Sequence, residues 1–183
     1  MSYLLLVIYY YFDAYESFVY LANLIFANPF MMDLYSFRMR RVYSYAALFD
    51  KYLSKEGADL LEFFKKNCVN TMTFSIDWFY TLFSRSFDIH VTRVVWDQFL
   101  LYGPEFLFLL GTSIMNILRP QLLTEYMNEG FNYLRAQTGK LKISQILSHL
   151  SRHRLDYFNY LSTLEGVYAL QPEIVKRDRE NKE

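Results

Sequence analysis

The sequence predicts an all-α fold, a single irregular multi-helix domain, on three observations. Apolar residues recur at intervals of three and four along nearly the whole chain, the period of a helix face. Strand punctuation is scarce, with 6 glycines and 4 prolines in 183 residues. Aromatic residues make up 20% of the chain, with 17 tyrosines and 17 phenylalanines, so the core is expected to be built of packed rings. Buried tyrosine hydroxyls in such a core need hydrogen-bond partners. The length suits one domain around one core.

Each element has a local reason. The opening run "MSYLLLVIYYYF" is apolar on every side. A helix of that kind belongs in the middle of a domain, so a hydrophobic partner is expected to cover it. The run ends at Asp13, short of the roughly 20 apolar residues that cross a bilayer. It also lacks the basic start and small-residue cleavage site of a signal peptide. Asp13 followed by Glu16 resembles a capping box and opens a helix over 14–27. That helix stops at Asn28-Pro29, because the residue before proline avoids helical angles.

A helix over 36–53 follows, with Val42, Tyr45, Leu48, Phe49, Tyr52 and Leu53 at core spacing and Gly57 able to close it. A short helix over 58–66 turns Leu60, Leu61, Phe63 and Phe64 inward. The next, over 74–84, carries the stripe Trp78, Phe79, Leu82 and Phe83. Asp88 caps a helix over 89–101, with Val94, Trp96 and Leu100 read as core positions, and Gly103-Pro104 ends it. Pro104 and Glu105 suit the first turn of the following helix, which is expected to stop at Arg119-Pro120. Further helices are expected over 121–134 and 144–164. The charged end, 166–183, has no apolar residue after Val175 and is expected to fray. The uncharged stretch 17–32 is broken by Asn23, Asn28 and Pro29, and "FLFLLGTSIMNIL" is only 13 residues long, so no transmembrane span is expected.

Charge excludes one class of partner. The 19 basic and 19 acidic residues cancel, so the chain as a whole lacks the basic footprint of a nucleic-acid binder. Cys68 is the single cysteine, which rules out an intrachain disulfide and a multi-cysteine zinc site. Lys65 and Lys66 beside Cys68 can favour a thiolate. A nucleophilic cysteine needs a partner base, however, and His90 is the only histidine in the first two-thirds of the chain, so a buried or bystander cysteine is the better reading. His149 and His153 lie four apart in "SHLSRHRLD", with Asp156 a turn further on. That spacing suits zinc, yet no HExxH motif or second ligand cluster accompanies it, so the pair is read as a solvated face. Arg93 and Asp97, also four apart, are read as a structural pair beside Trp96. The glycines form no phosphate-binding loop, and no GxSxG elbow is present. No catalytic, cofactor-binding or metal-ligating residue is assigned.

The stretch "IDWFYTLFSRSFDIHVTRVVWDQFLLYGPEFLF" resembles the C-terminal half of the TBC domain, the helical domain of Rab GTPase-activating proteins. The family pattern W-[FI]-x-T-L-[FY]-S is matched by Trp78 to Ser84. The pattern R-[IV]-W-D is matched by Arg93 to Asp97 with one extra valine. The pattern around G-x-E-F-L-F is matched by Gly103 to Phe108, with Leu109 where the family has arginine. "YESFVYLANLI" and "LLEFFKKN" resemble upstream helices of the same domain. The resemblance covers 1–123 and continues weakly to 164.

This resemblance implies the C-terminal subdomain of the TBC fold over 1–165, and a Rab-type small GTPase as partner in membrane traffic. It implies a cytoplasmic location, peripheral on endomembranes. Family chemistry rests on an arginine in IxxDxxR and a glutamine in YxQG, the arginine being worth about 10³–10⁵ in rate in GTPase systems. Neither motif occurs in the 183 residues. Because family YxQG is followed by Met and then Ser or Asn, Met1-Ser2 is expected to sit just after the glutamine finger. The finger-bearing half is then absent, and this chain alone is expected to be inactive. Two alternatives remain: an inactive TBC-like GTPase-binding or scaffold protein, and a helical subunit of a larger assembly.

Overall fold

The computed structural model describes residues 2–153 and 155–170. Among them ten helices follow one another: α1 (Ser2–Tyr9), α2 (Ala14–Phe26), α3 (Pro29–Tyr35), α4 (Met39–Glu56), α5 (Ala58–Lys66), α6 (Met72–Thr81), α7 (Ile89–Tyr102), α8 (Glu105–Thr138), α9 (Ile143–Leu150) and α10 (Tyr157–Ala169). No strand occurs among the described residues. The charged end beyond Leu170, expected to fray, lies outside them.

The caps explain most boundaries. The Asp13 carboxylate accepts from the Glu16 N–H at 2.8 Å and starts α2. Asp88 accepts from the N–H groups of His90 and Val91 and starts α7. Gly103 closes α7 at φ +78, a conformation that costs a residue with a Cβ.

Several boundaries differ from expectation: α4 runs Met39–Glu56 rather than over 36–53, and three further differences change the elements themselves. Pro29 does not only stop a helix but begins one: Asn28 Oδ1 accepts from the N–H groups of Phe30 and Met31, with proline in the first turn. The result is α3, bent 97° from α2. Pro120 does not end its helix. One hydrogen bond is forfeited there, but Leu118, Leu122, Tyr133 and Leu134 all belong to the hydrophobic core, and that packing outweighs the loss. Conversely, the single helix expected over 144–164 is two, because Asp156 accepts from the Asn159 N–H at 3.1 Å and starts α10 afresh.

The core gathers around α4 and the N-terminal half of α8. Phe108 is its aromatic centre, with ring contacts to Phe30, Tyr45, Tyr52, Phe79 and Tyr160. Phe49 meets Phe74, Trp78 and Phe79 edge to face. These geometries suit ring quadrupoles and add about 0.5–1.5 kcal/mol per pair beyond burial. The α8 helix approaches α4 and α6 so closely at Gly111 that a Cβ there would lie 2.8 Å from the Phe49 ring. Within α8, Glu105–Thr124 is long and apolar enough to cross a membrane by composition. Here it is the central packed helix, with Leu107, Phe108, Leu110, Ile114 and Met115 fully buried.

Buried polar groups fasten the outer helices. Glu105, 3% exposed, accepts from the Tyr52 hydroxyl at 3.0 Å and the Asp156 N–H at 2.9 Å, joining α8, α4 and the start of α10. Asp33 receives the Tyr45 hydroxyl and pairs with Arg38. Arg40 and Arg41 both lie over the Tyr168 ring, and Arg41 pairs with Glu165 at 2.7 Å, clasping α10 onto α4. Burial, with the Asp33 carboxylate beside it, pushes the Tyr45 hydroxyl far above its ordinary range, so it remains a donor.

Candidate functional site

The family-like stretch folds into the core. Trp78 is 1% exposed and stacks on Phe83 with ring centroids 5.0 Å apart. Helix α6 ends at Thr81, three residues before the expected 84, and Leu82 and Phe83 take left-handed angles of φ 46 and 62. Left-handed backbone is unfavourable for such side chains. It is held here because both are fully buried, and because the Phe83 N–H donates to the Trp78 carbonyl at 2.9 Å. Trp96 is 9% exposed and donates its indole N–H to the Leu82 carbonyl at 3.0 Å. The two tryptophans thus occupy core positions and brace one strained turn.

The reading of α7 needs two corrections. Leu100 is 65% exposed and Val94 is half-buried; the core face is Thr92, Val95, Trp96 and Phe99. A shift of one position on a 3.6-residue period moves a side chain by about 100°. Arg93 and Asp97 are both exposed, and no ion pair joins them among the described residues. The pair that fastens this region is Arg85–Asp77, at 2.8 Å.

What remains at the surface is apolar. A cavity of about 690 Å³ lies between α2, α3 and the end of α6, with Leu21, Ile25, Met32, Tyr35 and Tyr80 among its lining. The two tyrosines lock its floor: Tyr35 donates to the Tyr80 carbonyl at 2.6 Å, and Tyr80 donates to the Leu34 carbonyl at 2.8 Å. Burial, then Tyr80, pushes the Tyr35 hydroxyl up to about 12. Phe18, Phe26 and Phe37 stand around the cavity, Phe37 at 70% exposure. The N-terminal segment adds further apolar surface: Leu4, Val7 and Ile8 of α1 are buried, while Leu6, Tyr9 and, just past the helix, Tyr10 are exposed. Such a surface can bind apolar partners; the polar side chains in the cavity lining are the hydroxyls of Tyr35, Ser36 and Tyr80. The purified chain is therefore expected to bind a hydrophobic dye strongly or to self-associate. Light scattering with dye fluorescence checks this, and a monodisperse, dye-silent species would contradict it.

The histidine pair does not form a solvated face. His149 and His153 are both half-buried, the second in the turn after α9, with ring centroids 5.5 Å apart. His149 Nδ1 lies 3.1 Å from Ser113 Oγ, and His153 Nδ1 lies 3.0 Å from Glu56 Oε1. Burial first, then His153, pulls His149 below its ordinary pKa and favours the neutral ring. Asp156, the acidic neighbour suggested by spacing, is a helix cap instead. Glu56, nearly a hundred positions earlier in the chain, takes that place, and no local signal could have linked it to the pair. Cys68 is exposed on the turn after α5.

A family model described as the Rab-GTPase-TBC domain matches residues 1–123. The chain belongs to the Rab-GTPase-TBC domain family. The match coincides with the span over which the motifs were recognised, and the helical architecture agrees with it. Among curated proteins, this TBC chain is similar to "GTPase activating protein Gyp51" of Schizosaccharomyces pombe, 27% identical over 111 residues, 61% of this chain and 11% of that protein. It is similar to "TBC1 domain family member 14" of Rattus norvegicus, 29% identical over 105 residues, 57% of this chain and 15% of that protein. It is also similar to "TBC1 domain family member 12" of Rattus norvegicus, 29% identical over 108 residues, 59% of this chain and 15% of that protein. The TBC chain therefore spans a small fraction of the length of the relatives it matches.

Proposed function

We propose that this chain is a TBC-domain scaffold that binds a Rab-type small GTPase in membrane traffic and does not by itself accelerate GTP hydrolysis. The observation that carries the reading is the family match over 1–123. Its most family-like residues, Trp78, Leu82, Phe83 and Trp96, are engaged in packing. The sequence contains neither IxxDxxR nor YxQG, so the groups that stabilise transferring phosphate and position water in this family are not supplied by these residues. One relative is a GTPase activating protein by name, which supports the partner class. A cytoplasmic location, peripheral on endomembranes, belongs to the same proposal.

Binding is the direct check. The purified chain should bind at least one member of a panel of Rab proteins loaded with a non-hydrolysable GTP analogue, with a Kd of about 10 µM or tighter. Absence of binding across the panel would overturn the reading. It would favour a helical subunit of a larger assembly, which the outward aromatic residues of α1 and α2 also support.

A further inference from the structure

We propose that Glu56, His149 and His153 form a binding site for a divalent zinc-class cation, which staples the end of α9 to α4 and α8. The three residues come from the last turn of α4, from α9 and from the turn after it. One ligand atom of each lies within 4.8 Å of both others. Two imidazoles and a carboxylate are a donor set that zinc takes readily, with a fourth position left to water. His153 Nδ1 and Glu56 Oε1 are already 3.0 Å apart, so a cation at zinc bond lengths could bridge them with little movement of the backbone.

The surroundings fit a cation better than they fit the protein atoms alone. Ser113 Oγ lies 3.1 Å from His149 Nδ1, which can orient the ring and leave Nε2 as the donor to metal. Asn116 Nδ2 donates to Glu56 Oε2 at 3.2 Å and holds the carboxylate in place. Thr112 Oγ1, beside this cluster, is buried without a hydrogen-bond partner. Buried polar atoms left without a partner are uncommon and call for a reason. Thr112, His153 and Glu56 all border one polar cavity of about 140 Å³, which has room for the water that completes such a coordination shell.

The geometry makes the site conformational as well as chemical. Its ligands lie far apart in sequence, so binding closes a long loop and should raise the stability of the C-terminal helices. Nothing in it depends on the GTPase reading above.

The test uses the full 183-residue chain, freed of metal by a chelator and titrated with zinc chloride against a chromophoric competitor. The expected result is one equivalent bound with a Kd tighter than about 10 µM, weakened at least about tenfold by Glu56→Gln and by His149→Gln. Glu56→Gln keeps the shape and polarity of the side chain, and its circular dichroism without metal reports whether the fold is intact. Imidazole nitrogen NMR on the unmodified chain gives a readout independent of any variant. Of the three histidines, zinc should shift the resonances of His149 and His153 and leave those of His90 in place. Binding weaker than about 10 µM, binding undiminished in folded variants, or equal shifts at all three rings would each overturn the proposal.

Discussion

Trp78→Ala is expected to abolish cooperative folding. The indole is 1% exposed, stacks on Phe83, meets Phe49 at 6.1 Å and Phe74 at 5.5 Å, and lies against α8 at Gly111. Truncating a tryptophan in such a position costs about 3–5 kcal/mol, against a total stability of about 5–15 kcal/mol for a typical domain. The loss falls where the chain already holds two left-handed residues, Leu82 and Phe83, maintained by their burial and by the Phe83 N–H bond to the Trp78 carbonyl. Far-UV circular dichroism during a thermal melt is the measurement, with Leu100→Ala as control. Leu100 is 65% exposed, so its loss should stay within about 0.5 kcal/mol. A Trp78→Ala protein that melts like the unmodified chain would contradict the core position of this tryptophan.

Gly111→Val should be nearly as damaging for the opposite reason. A Cβ at this position would lie 2.8 Å from Phe49 and 3.2 Å from Trp78, both rings themselves enclosed. Neither ring can withdraw without displacing a further aromatic neighbour. Overpacking of this kind costs about 1–3 kcal/mol or more, which for a chain of this size lowers the Tm by roughly 2–12 °C. Gly111→Ala should lie between the two, because it adds the clash without the branch. An unchanged Tm for the valine variant would mean that α8 can slide away from α4 and α6, contrary to the packing described.

Much of this fold was legible because its punctuation is local. Asp13, Asp88 and the Gly103-Pro104 pair act within one turn of themselves, and they start and stop helices where the sequence says they should. The misreadings share a cause. Pro120 is locally a stop, yet Leu118 before it and Leu122, Tyr133 and Leu134 after it belong to one hydrophobic core. Asn28-Pro29 is a stop and a start at once, and a cap followed by proline at the first position was the available signal for α3. Asp156 was weighed as a ligand when its position before a new apolar run made it a cap.

The family could be recognised because its motifs encode core packing, which any chain keeping the scaffold must retain. The Glu56–His149–His153 cluster could not be foreseen, since its members meet only once α9 has docked on α4 and α8. The groove near Phe37 was equally hidden. An outward aromatic residue has the same letter as an inward one, and only the bend between α2 and α3 decides which it is.

Single-turnover GTP hydrolysis by a panel of Rab proteins, with and without the purified chain, bears most directly on the central claim. The chain is expected to leave the intrinsic rate unchanged while binding at least one member of the panel. An acceleration of roughly a hundredfold or more would contradict the account, because it would require a catalytic arginine among residues read here as scaffold.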